Sequence, residues 1–498
     1  MLNLKKNNNL YNNLICGWIL QAVTAFIGLV LPKMILEHYG SVLNGLISSV
    51  TQFISYLSLV EFGIYNASLV ALYKPLAENN VDELNGVMSA INKYFVQIAK
   101  LFSFFFLFVL ILYPRCVRNE VSEILVIKTL IAVGLYNFLN YLLVAKYKVL
   151  LQADNRVFIV YLVHILGLIL QYVLNVIVIT LNLEIYYTKV IIILTTVIEF
   201  LFLRKYCLKK YSFIDLKTIP LEGKIKQRGD IILHQVAGLI VNNTDMVLLT
   251  MFTNLSEVSV YTIYSMIYIL ITGIGDIVVN STISPLGKLL ATNKKKQALD
   301  YYDKYENYFQ LLNFSITLCM AILILPFIKM YTSNIKDANY CRMDVGILFS
   351  IMALTKIIRL PIHSVVNAKG HFKQTRNQAV LEAIINIIIS LILVIKIGLP
   401  GVLIGTIISN IYRVVHLWVY CYRCIMPFNL KRSVYRVVVN CLVSLGILYG
   451  AKEINLFYIN LDSLMKFVIL GLIILLVIIV MLVLVNYISE GFYEKLYK

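Results

Sequence analysis

The chain contains 498 residues, of which 60% are hydrophobic, whereas apolar residues make up about 45–50% of a typical soluble domain. With a mean hydropathy of +0.82, the sequence excludes a soluble globular protein. Its 44 Lys and Arg residues outnumber 26 Asp and Glu residues, which gives a formal net charge of +18. In a soluble protein, this positive charge would suggest binding to nucleic acid. In a membrane protein, positive charge in short loops indicates which side of the membrane each loop faces, so we expect no nucleic-acid partner.

Apolar runs of membrane-crossing length recur along the whole sequence and predict an all-α polytopic membrane protein with about fourteen transmembrane helices. The predicted spans lie near residues 14–36, 42–72, 87–113, 122–145, 157–181, 183–203, 230–253, 258–286, 308–331, 345–368, 378–397, 401–424, 433–450 and 464–488. The first run lacks a small-residue cleavage site and is followed at once by further spans. We therefore expect it to be a membrane helix and not a cleaved signal peptide.

Positive charge alternates between two sets of predicted loops. The richer set includes Lys146, Lys148, the segment 204–228 and the run 294–296, whereas the poorer set holds residues such as Arg115 and Lys336. Cytoplasmic loops are enriched in Lys and Arg, so the richer set is expected to face the cytoplasm. Both termini are therefore expected to be cytoplasmic, in agreement with an even number of spans.

A weak internal repeat predicts two halves. A shift of about 214 residues, the repeat offset, aligns Gln21 with Gln235 and the pair Tyr94-Phe95 with Tyr308-Phe309. Because this shift joins the first six spans to the next six, it predicts two six-helix lobes related by an axis along the membrane normal. The predicted organisation is a first lobe over 1–204, a basic cytoplasmic linker over 205–229 lying against anionic headgroups, a second lobe over 230–427 and an additional helix pair over 428–498.

Several basic and amide side chains lie inside the predicted spans. Lys356, Arg359 and His363 follow an i, i+3, i+7 spacing, so they share one helix face, and Asn410 and Arg413 share another. Intramembrane cations normally face a bundle interior or a water-filled cavity, so we expect a cavity for an anionic ligand. The candidate lining residues are Lys356, Arg359, His363, Arg413, Lys33, Asn410 and Gln21. Pairing with buried acids, snorkelling of Lys33 and interhelical hydrogen bonds of the amides are the structural alternatives.

Three carboxylates inside or next to spans are candidates for binding a coupling ion. Asp245, Asp276 and Glu61 either bind a proton or sodium ion or pair with the buried bases. Glu382 lies near the end of its span, where Arg376 and Lys373 are the expected partners.

The sequence contains no motif for ATP, metal or covalent chemistry. No Walker or glycine-rich phosphate loop is present, and Cys421 and Cys424 form a CxxC pair without further ligands at metal spacing. The predicted outer loops are too short for the catalytic acidic motif of a membrane-embedded glycosyltransferase or polymerase. We therefore expect no catalytic residue, no metal and no bound cofactor, and we expect the chain not to be an enzyme.

Segments spread over nearly the whole chain resemble the bacterial polysaccharide repeat-unit flippases, which belong to the multidrug/oligosaccharidyl-lipid/polysaccharide superfamily. They begin at Pro32 (PKMILEHYGSVLNGLISS), Leu150 (LLQADNRVFIVYLV), Asn242 (NNTDMVLLTMF), Val260 (VYTIYSMIYIL) and Ala368 (AKGHFKQTRNQAVLEAIINI). The resemblance implies fourteen helices around a central cavity, alternating access, and cationic lining by Lys356, Arg359 and Arg413. It also implies coupling to a proton or sodium gradient and a location in the bacterial cytoplasmic membrane.

The implied substrate is an oligosaccharide on an undecaprenyl pyrophosphate carrier, flipped for O-antigen, capsule or exopolysaccharide synthesis. The lipid bilayer is an expected partner, and a polysaccharide polymerase and a chain-length regulator are further candidates. Three alternatives remain: a multidrug antiporter, a flippase for the peptidoglycan lipid precursor, and a membrane-embedded glycosyltransferase or polymerase. A multidrug antiporter would favour acidic over basic residues at mid-depth.

Overall fold

The computed structural model describes residues 2–61, 63–117, 120–225, 229–292, 294–459 and 463–497. Within these ranges the chain forms helices and turns but no β-strand, and fourteen of its α-helices are at least 15 residues long. Eleven helical stretches of this part are long and apolar enough to cross a membrane, judged by length and composition. The prediction of an all-α polytopic membrane protein is confirmed.

The helices of the first unit pack around a large apolar core. This unit comprises Met1–Val236 and Asn254–Ser259. Its core contains Leu46, Phe95, Phe102, Tyr141 and Leu203, all of which are almost fully buried. Its helices are α1 (Leu2–Leu57), α2 (Ile64–Glu78), α3 (Val81–Cys116), α4 (Glu123–Leu139), α5 (Ala145–Ala153), α6 (Val157–Thr180) and α7 (Tyr187–Lys210).

Helices of the first unit are interrupted at three places. Gly40 kinks α1 with a φ of 81°, a conformation that glycine adopts without steric cost. A 3₁₀ turn, Ser58–Glu61, and Gly63 with a φ of 84° separate α1 from α2. A π-helical turn, Asn140–Val144, joins α4 to α5. The second predicted span, near 42–72, is therefore two helical pieces instead of one continuous helix.

The second unit comprises Ala237–Thr253 and Val260–Lys498 and has its own core around α10. Phe314, Ile322, Ile362, Leu417 and Leu482 are buried members of that core. The remaining helices of the chain are α8 (Gly229–Phe252), α9 (Leu255–Ala291), α10 (Lys295–Tyr331), α11 (Met343–Ile358), α12 (Leu360–Lys369), α13 (Phe372–Ile397), α14 (Leu399–Cys424), α15 (Leu430–Glu453) and α16 (Leu464–Tyr497).

Ion pairs of the buried Arg436 side chain join α15 to α10 and α16. Arg436 on α15 lies 2.8 Å from Asp303 on α10 and 2.5 Å from Glu490 on α16, measured between the nearest side-chain atoms. Asn486 donates a hydrogen bond of 2.7 Å to Asn440, which joins α16 to α15. The predicted additional helix pair is thus part of the second compact unit.

Two helix boundaries of the second unit lie at the repeat offset from boundaries of the first. α3 begins at Val81 and α10 at Lys295, and α7 ends at Lys210 and α14 at Cys424. Each pair of positions is separated by the same shift that weakly relates the sequences, so the repeat extends to the helices. The predicted lobe boundaries at 204, 230 and 427 stay predictions.

The segment between α7 and α8 packs on α3 and is not a free linker. Residues 205–210 belong to α7, residues 211–225 follow it, and 226–228 lie outside the described residues. Ser89 donates a hydrogen bond of 2.7 Å to the Thr218 carbonyl, and the Leu221 amide donates one of 3.0 Å to Gly86. The side chains of Lys224 and Glu83 form an ion pair of 2.6 Å. Backbone contacts with α3 therefore hold this segment, in addition to any attraction to headgroups.

Candidate functional site

A buried cluster of one carboxylate and two guanidinium groups lies in the second unit. Glu382 on α13 binds Arg359 at 2.6 Å through one oxygen and Arg413 on α14 at 3.3 Å through the other. The Glu382 and Arg413 side chains are 8% and 4% exposed, so both charges are removed from solvent. Sequence reasoning assigned Glu382 to Arg376 or Lys373, whereas the structure gives it Arg359 and Arg413 as partners.

Arg359 lies at a short break between two helices. α11 ends at Ile358, Arg359 caps it, and α12 begins at Leu360 with Pro361 in its first turn. Proline has no N–H to donate to the preceding turn, so the helix is interrupted at this point. The break lies between Lys356 and His363. The three residues predicted to share one helix face therefore have different contacts: Lys356 lies beside Asn242, Arg359 binds Glu382 and His363 lies beside Asn367. His363 Nδ1 is 3.3 Å from the Asn367 amide nitrogen on α12.

Lys356 and Asp245 line the same small polar cavity. Lys356 Nζ is 3.4 Å from Asn242 Oδ1 and 5.1 Å from the centroid of the Tyr268 ring. The cavity has a volume of about 20 Å³ and is lined by Val241, Asn242, Asp245, Tyr261, Tyr268, Met352, Lys356, Thr406 and Asn410. Since a single water needs about 10–15 Å³, this space accommodates one water or one small ion.

Asp245 is a buried carboxylate whose hydrogen-bond partners are neutral. It is 2% exposed, and its two oxygens lie 2.8 and 2.9 Å from the Thr406 hydroxyl. The Tyr261 hydroxyl is 3.3 Å away, and the Asn386 amide donates to Thr406 at 2.9 Å. The Asn386 Oδ1 and Asn410 Nδ2 atoms are buried without a hydrogen-bond partner among the described residues. These groups surround a negative charge that has no ion-pair partner within 4 Å in the described part of the chain.

Two glycines on α14 bring it close enough to α13 to form this arrangement. A Cβ atom at Gly401 would lie 2.4 Å from the Leu393 carbonyl carbon, and one at Gly405 would lie 2.1 Å from Ser390 Oγ. Gly401 and Gly405 are four residues apart and therefore lie on the same helix face, as in the small-residue contacts typical of membrane helices. The close approach permits the hydrogen bond between Asn386 and Thr406.

The other candidate residues have more open surroundings. Asp276 is exposed on α9 within the second unit, where its charge acts on Lys356. In the first unit, Gln21 is exposed on α1, and Lys33 lies 3.8 Å from Glu37 one turn later. Glu61 lies in the 3₁₀ turn near the Tyr141 hydroxyl. The structure therefore brings Lys356, Asp245 and Asn410 together and, separately, Arg359 and Arg413.

Sequence reasoning missed an ionic contact in the first unit and the role of Thr406. Lys148 on α5 and Glu199 on α7 form an ion pair of 3.0 Å, and His164 on α6 is 3.9 Å from the second Glu199 oxygen. The available signal was the carboxylate of Glu199 inside the apolar run predicted near 183–203. Thr406 gives no such signal, because threonine is ordinary in a membrane helix.

The described residues contain no group of three or more His, Cys, Asp or Glu side chains that could hold a metal ion. A separate groove of about 790 Å³ lies among α10, α11, α14 and α15. Trp418, Ile411, Val415, Leu445 and Leu448 contribute to its largely apolar lining, which fits a hydrocarbon chain better than a charged group.

Comparison with solved structures identifies the fold. The structure named "Lipid II flippase MurJ, inward closed conformation" superposes with a TM-score of 0.66 at 16% identity, covering 97% of this chain and 99% of that protein. An inward-facing multidrug resistance MATE family transporter of the MOP superfamily gives a TM-score of 0.66 at 14% identity, over 82% of this chain and 96% of the transporter.

An outward-facing MATE family transporter of the same superfamily gives a TM-score of 0.54 at 15% identity, over 82% of this chain and 97% of the transporter. No family model and no curated protein matches the sequence. The chain is thus a multi-pass membrane protein with the fold of these transporters and flippases.

Proposed function

We propose that the chain flips undecaprenyl-pyrophosphate-linked oligosaccharide repeat units from the cytoplasmic to the outer leaflet of a bacterial cytoplasmic membrane. The extent of the fold likeness carries this proposal. The lipid II flippase superposes on 97% of the chain, whereas the multidrug transporters superpose on 82% and leave the remainder unmatched. A likeness that includes nearly the whole chain favours a lipid-linked substrate over a free drug. The choice of a polysaccharide repeat unit follows the sequence resemblance.

The basic residues of the second unit suit a pyrophosphate group. Arg359 and Arg413 share the single carboxylate of Glu382, which leaves this cluster with one excess positive charge. Lys356, three residues before Arg359 in the last turn of α11, adds another. Arg offers a forked set of donors and Lys a point charge, and both are used to bind phosphate. A role of Lys33, His363, Asn410 and Gln21 in binding the sugar stays a prediction.

Asp245 is the strongest candidate for coupling to an ion gradient. A buried carboxylate surrounded by neutral donors is costly unless it gains a proton or a cation. The oxygen atoms of Asp245, Thr406 and Asn386 are of the type that sodium prefers, and the adjoining cavity of about 20 Å³ has room for one ion. We therefore infer that a sodium ion or a proton binds here, with Asp276 and Glu61 as secondary candidates.

Binding and release of that ion would bias an alternating-access cycle. The head group enters while the site is open to the cytoplasm, and the polyprenyl tail remains in lipid. An ion shifts the balance between two conformations only by its difference in affinity for them. Loss of the ion would leave the negative charge of Asp245 buried without a partner. This would favour the conformation in which Asp245 can bind an ion again.

A flippase for the peptidoglycan lipid precursor is the second candidate, favoured by the likeness to the lipid II flippase. The deciding experiment is a deletion strain whose lipid-linked saccharides are extracted and sized. We expect a viable strain that accumulates single repeat units facing the cytoplasm. Loss of viability with accumulated peptidoglycan precursor would replace the proposal with the second candidate, and an unchanged lipid pool with altered drug sensitivity would indicate a multidrug antiporter.

A further inference from the structure

Two basic side chains lie near each other in the first unit, apart from the residues considered above for substrate and ion binding. Lys146 is on α5, which packs against both α3 and α7, and Arg204 is on the last part of α7. The charge of Arg204 acts on Lys146. Both residues belong to the set of positions predicted to face the cytoplasm. They form a cation pair at one end of this unit.

Neutral groups surround the cation pair. Lys146 Nζ donates a hydrogen bond of 2.8 Å to Asn92 Oδ1 on α3. It lies 5.6 Å from the centroid of the Tyr147 ring, and the Arg204 guanidinium carbon lies 5.8 Å from the centroid of the Phe200 ring. The centroids of the Tyr147 and Phe200 rings are 6.2 Å apart. These two rings therefore connect the surroundings of Lys146 with those of Arg204.

The cation pair has no negative partner within the described residues. Neither Lys146 nor Arg204 forms an ion pair there, and Lys146 is half-buried. Lys148 provides a contrast, because it lies two residues later, on the opposite side of α5, and Glu199 balances its charge at 3.0 Å. Two like charges near each other repel, and burial makes an unbalanced charge more costly. An anion bound between Lys146 and Arg204 would remove both costs.

An exposed apolar stripe on α7 leads away from the cation pair. It consists of Val190, Leu194 and Leu201, which are 38%, 50% and 53% exposed. Their spacing places them on one face of the helix, and Arg204 lies at the edge of that face, three residues after Leu201. From Val190 to Leu201 the helix rises about 16 Å. This length is close to half of a hydrocarbon core about 30 Å thick, which is the depth of one leaflet.

The cation pair and the apolar stripe together fit one class of ligand. The cations suit a phosphate group, because Arg offers a forked set of donors and Lys a point charge. The stripe suits a hydrocarbon chain of the length of one leaflet. Anionic phospholipids carry both parts, and their headgroups attract basic side chains at the cytoplasmic surface of a membrane. A free phosphate ion would contact the cations but not the stripe, and the tail of an undecaprenyl carrier is far longer than the stripe.

We propose that Lys146 and Arg204 form a binding site for the phosphate group of an anionic phospholipid of the cytoplasmic leaflet, whose acyl chain lies along the apolar stripe of α7. The site is in the first unit, whereas the cations proposed above for the pyrophosphate of the substrate are in the second. Bound lipid would join α3, α5 and α7 at this end of the unit. Lipid binding requires no transport, so it can be tested independently of the proposed flipping.

Native mass spectrometry of the full-length protein, titrated with dioleoyl phosphatidylglycerol in detergent, tests the proposal. The double variant Lys146→Gln, Arg204→Gln is expected to bind the first molecule of this lipid about tenfold more weakly than the unchanged protein, because it lacks both cations. Arg204→Gln alone, a change at an exposed side chain, should show part of the same loss and keeps the test valid if the double variant does not fold. Dioleoyl phosphatidylcholine, which has no net charge, should not distinguish the variants.

Lys205→Gln combined with Lys209→Gln is the matched control. Both residues are exposed on α7, so the control loses the same two positive charges and leaves the cation pair intact. It should bind phosphatidylglycerol as tightly as the unchanged protein does. Equal weakening in the two double variants would show a general attraction to positive charge and would overturn the proposal. Unchanged binding by Lys146→Gln, Arg204→Gln would also overturn it.

Competition identifies the source of the phosphate group. Inorganic phosphate at the concentration of the lipid should leave phosphatidylglycerol bound, because it makes no contact with the apolar stripe. Phosphatidylglycerol should also raise the unfolding temperature of the unchanged protein and of the control more than that of the double variant at the cation pair. Displacement by inorganic phosphate would overturn the assignment to a lipid. Tighter binding of undecaprenyl phosphate than of phosphatidylglycerol at these residues would overturn the assignment to a phospholipid.

Discussion

Replacing Glu382 with Gln is expected to destabilise the second unit strongly. The substitution keeps the shape of the side chain but removes the charge that binds Arg359 at 2.6 Å and Arg413 at 3.3 Å. Arg413 is 3% exposed, so water cannot replace the lost carboxylate. Removing one partner of a buried ion pair costs about 3–5 kcal/mol, because the other charge is left buried and uncompensated. We expect a loss of this size for Glu382→Gln.

Thermal and denaturant unfolding of the purified protein in detergent would measure this loss. Glu184→Gln is the control, because its partner Lys128 lies 3.1 Å away in an exposed pair, for which about 0–1 kcal/mol is expected. Combining Glu382→Gln with Arg413→Gln should cost less than the sum of the single changes, since the second change removes a charge that the first left unpaired. A Glu382→Gln variant as stable as the control variant would refute this electrostatic interpretation of the cluster.

Three further changes test other parts of the site. Asp245→Asn should abolish stimulation of transport by an ion gradient while substrate binding persists, and undiminished stimulation would exclude Asp245 as the coupling group. Lys356→Gln should lower surface polysaccharide about tenfold or more without lowering protein abundance. Lys452→Gln, a change in the lining of the apolar groove, should leave surface polysaccharide unchanged. Gly405→Val should lower the unfolding temperature and the yield, because its side chain would meet Ser390. Full stability of that variant would contradict the close approach of α13 and α14.

Much of the fold could be predicted from the sequence because the apolar runs that cross a membrane are long and continuous. The repeat offset also anticipated how the starts of α3 and α10, and the ends of α7 and α14, correspond. The break between α1 and α2 could not be read from hydropathy, because Glu61 is the only charged residue in it and the flanking sequence is apolar. The positive φ of Gly63 shows the position of this break, but it is known only from the backbone of the structure.

The candidate site was only partly predictable. In-span charges were visible, so Lys356, Arg359, Arg413 and Asp245 were all identified. Their partners depend on helix packing and could not be derived from spacing. Arg359 and Lys356 share a helix face by periodicity, yet Arg359 binds Glu382 and Lys356 lies beside Asn242. The ion pair between Glu199 and Lys148 could not be predicted, because it depends on the packing of α5 against α7.

Translocation by the purified protein in sealed vesicles tests the central claim most directly. Lipid-linked oligosaccharide would be loaded into vesicles with and without the protein, and an externally added glycosidase would report the fraction of head groups on the outer face. The proposal predicts cleavage that rises beyond the initial outer fraction when the protein and an ion gradient are present, and that is lost with Asp245→Asn. Equal cleavage in vesicles with and without the protein would contradict the account.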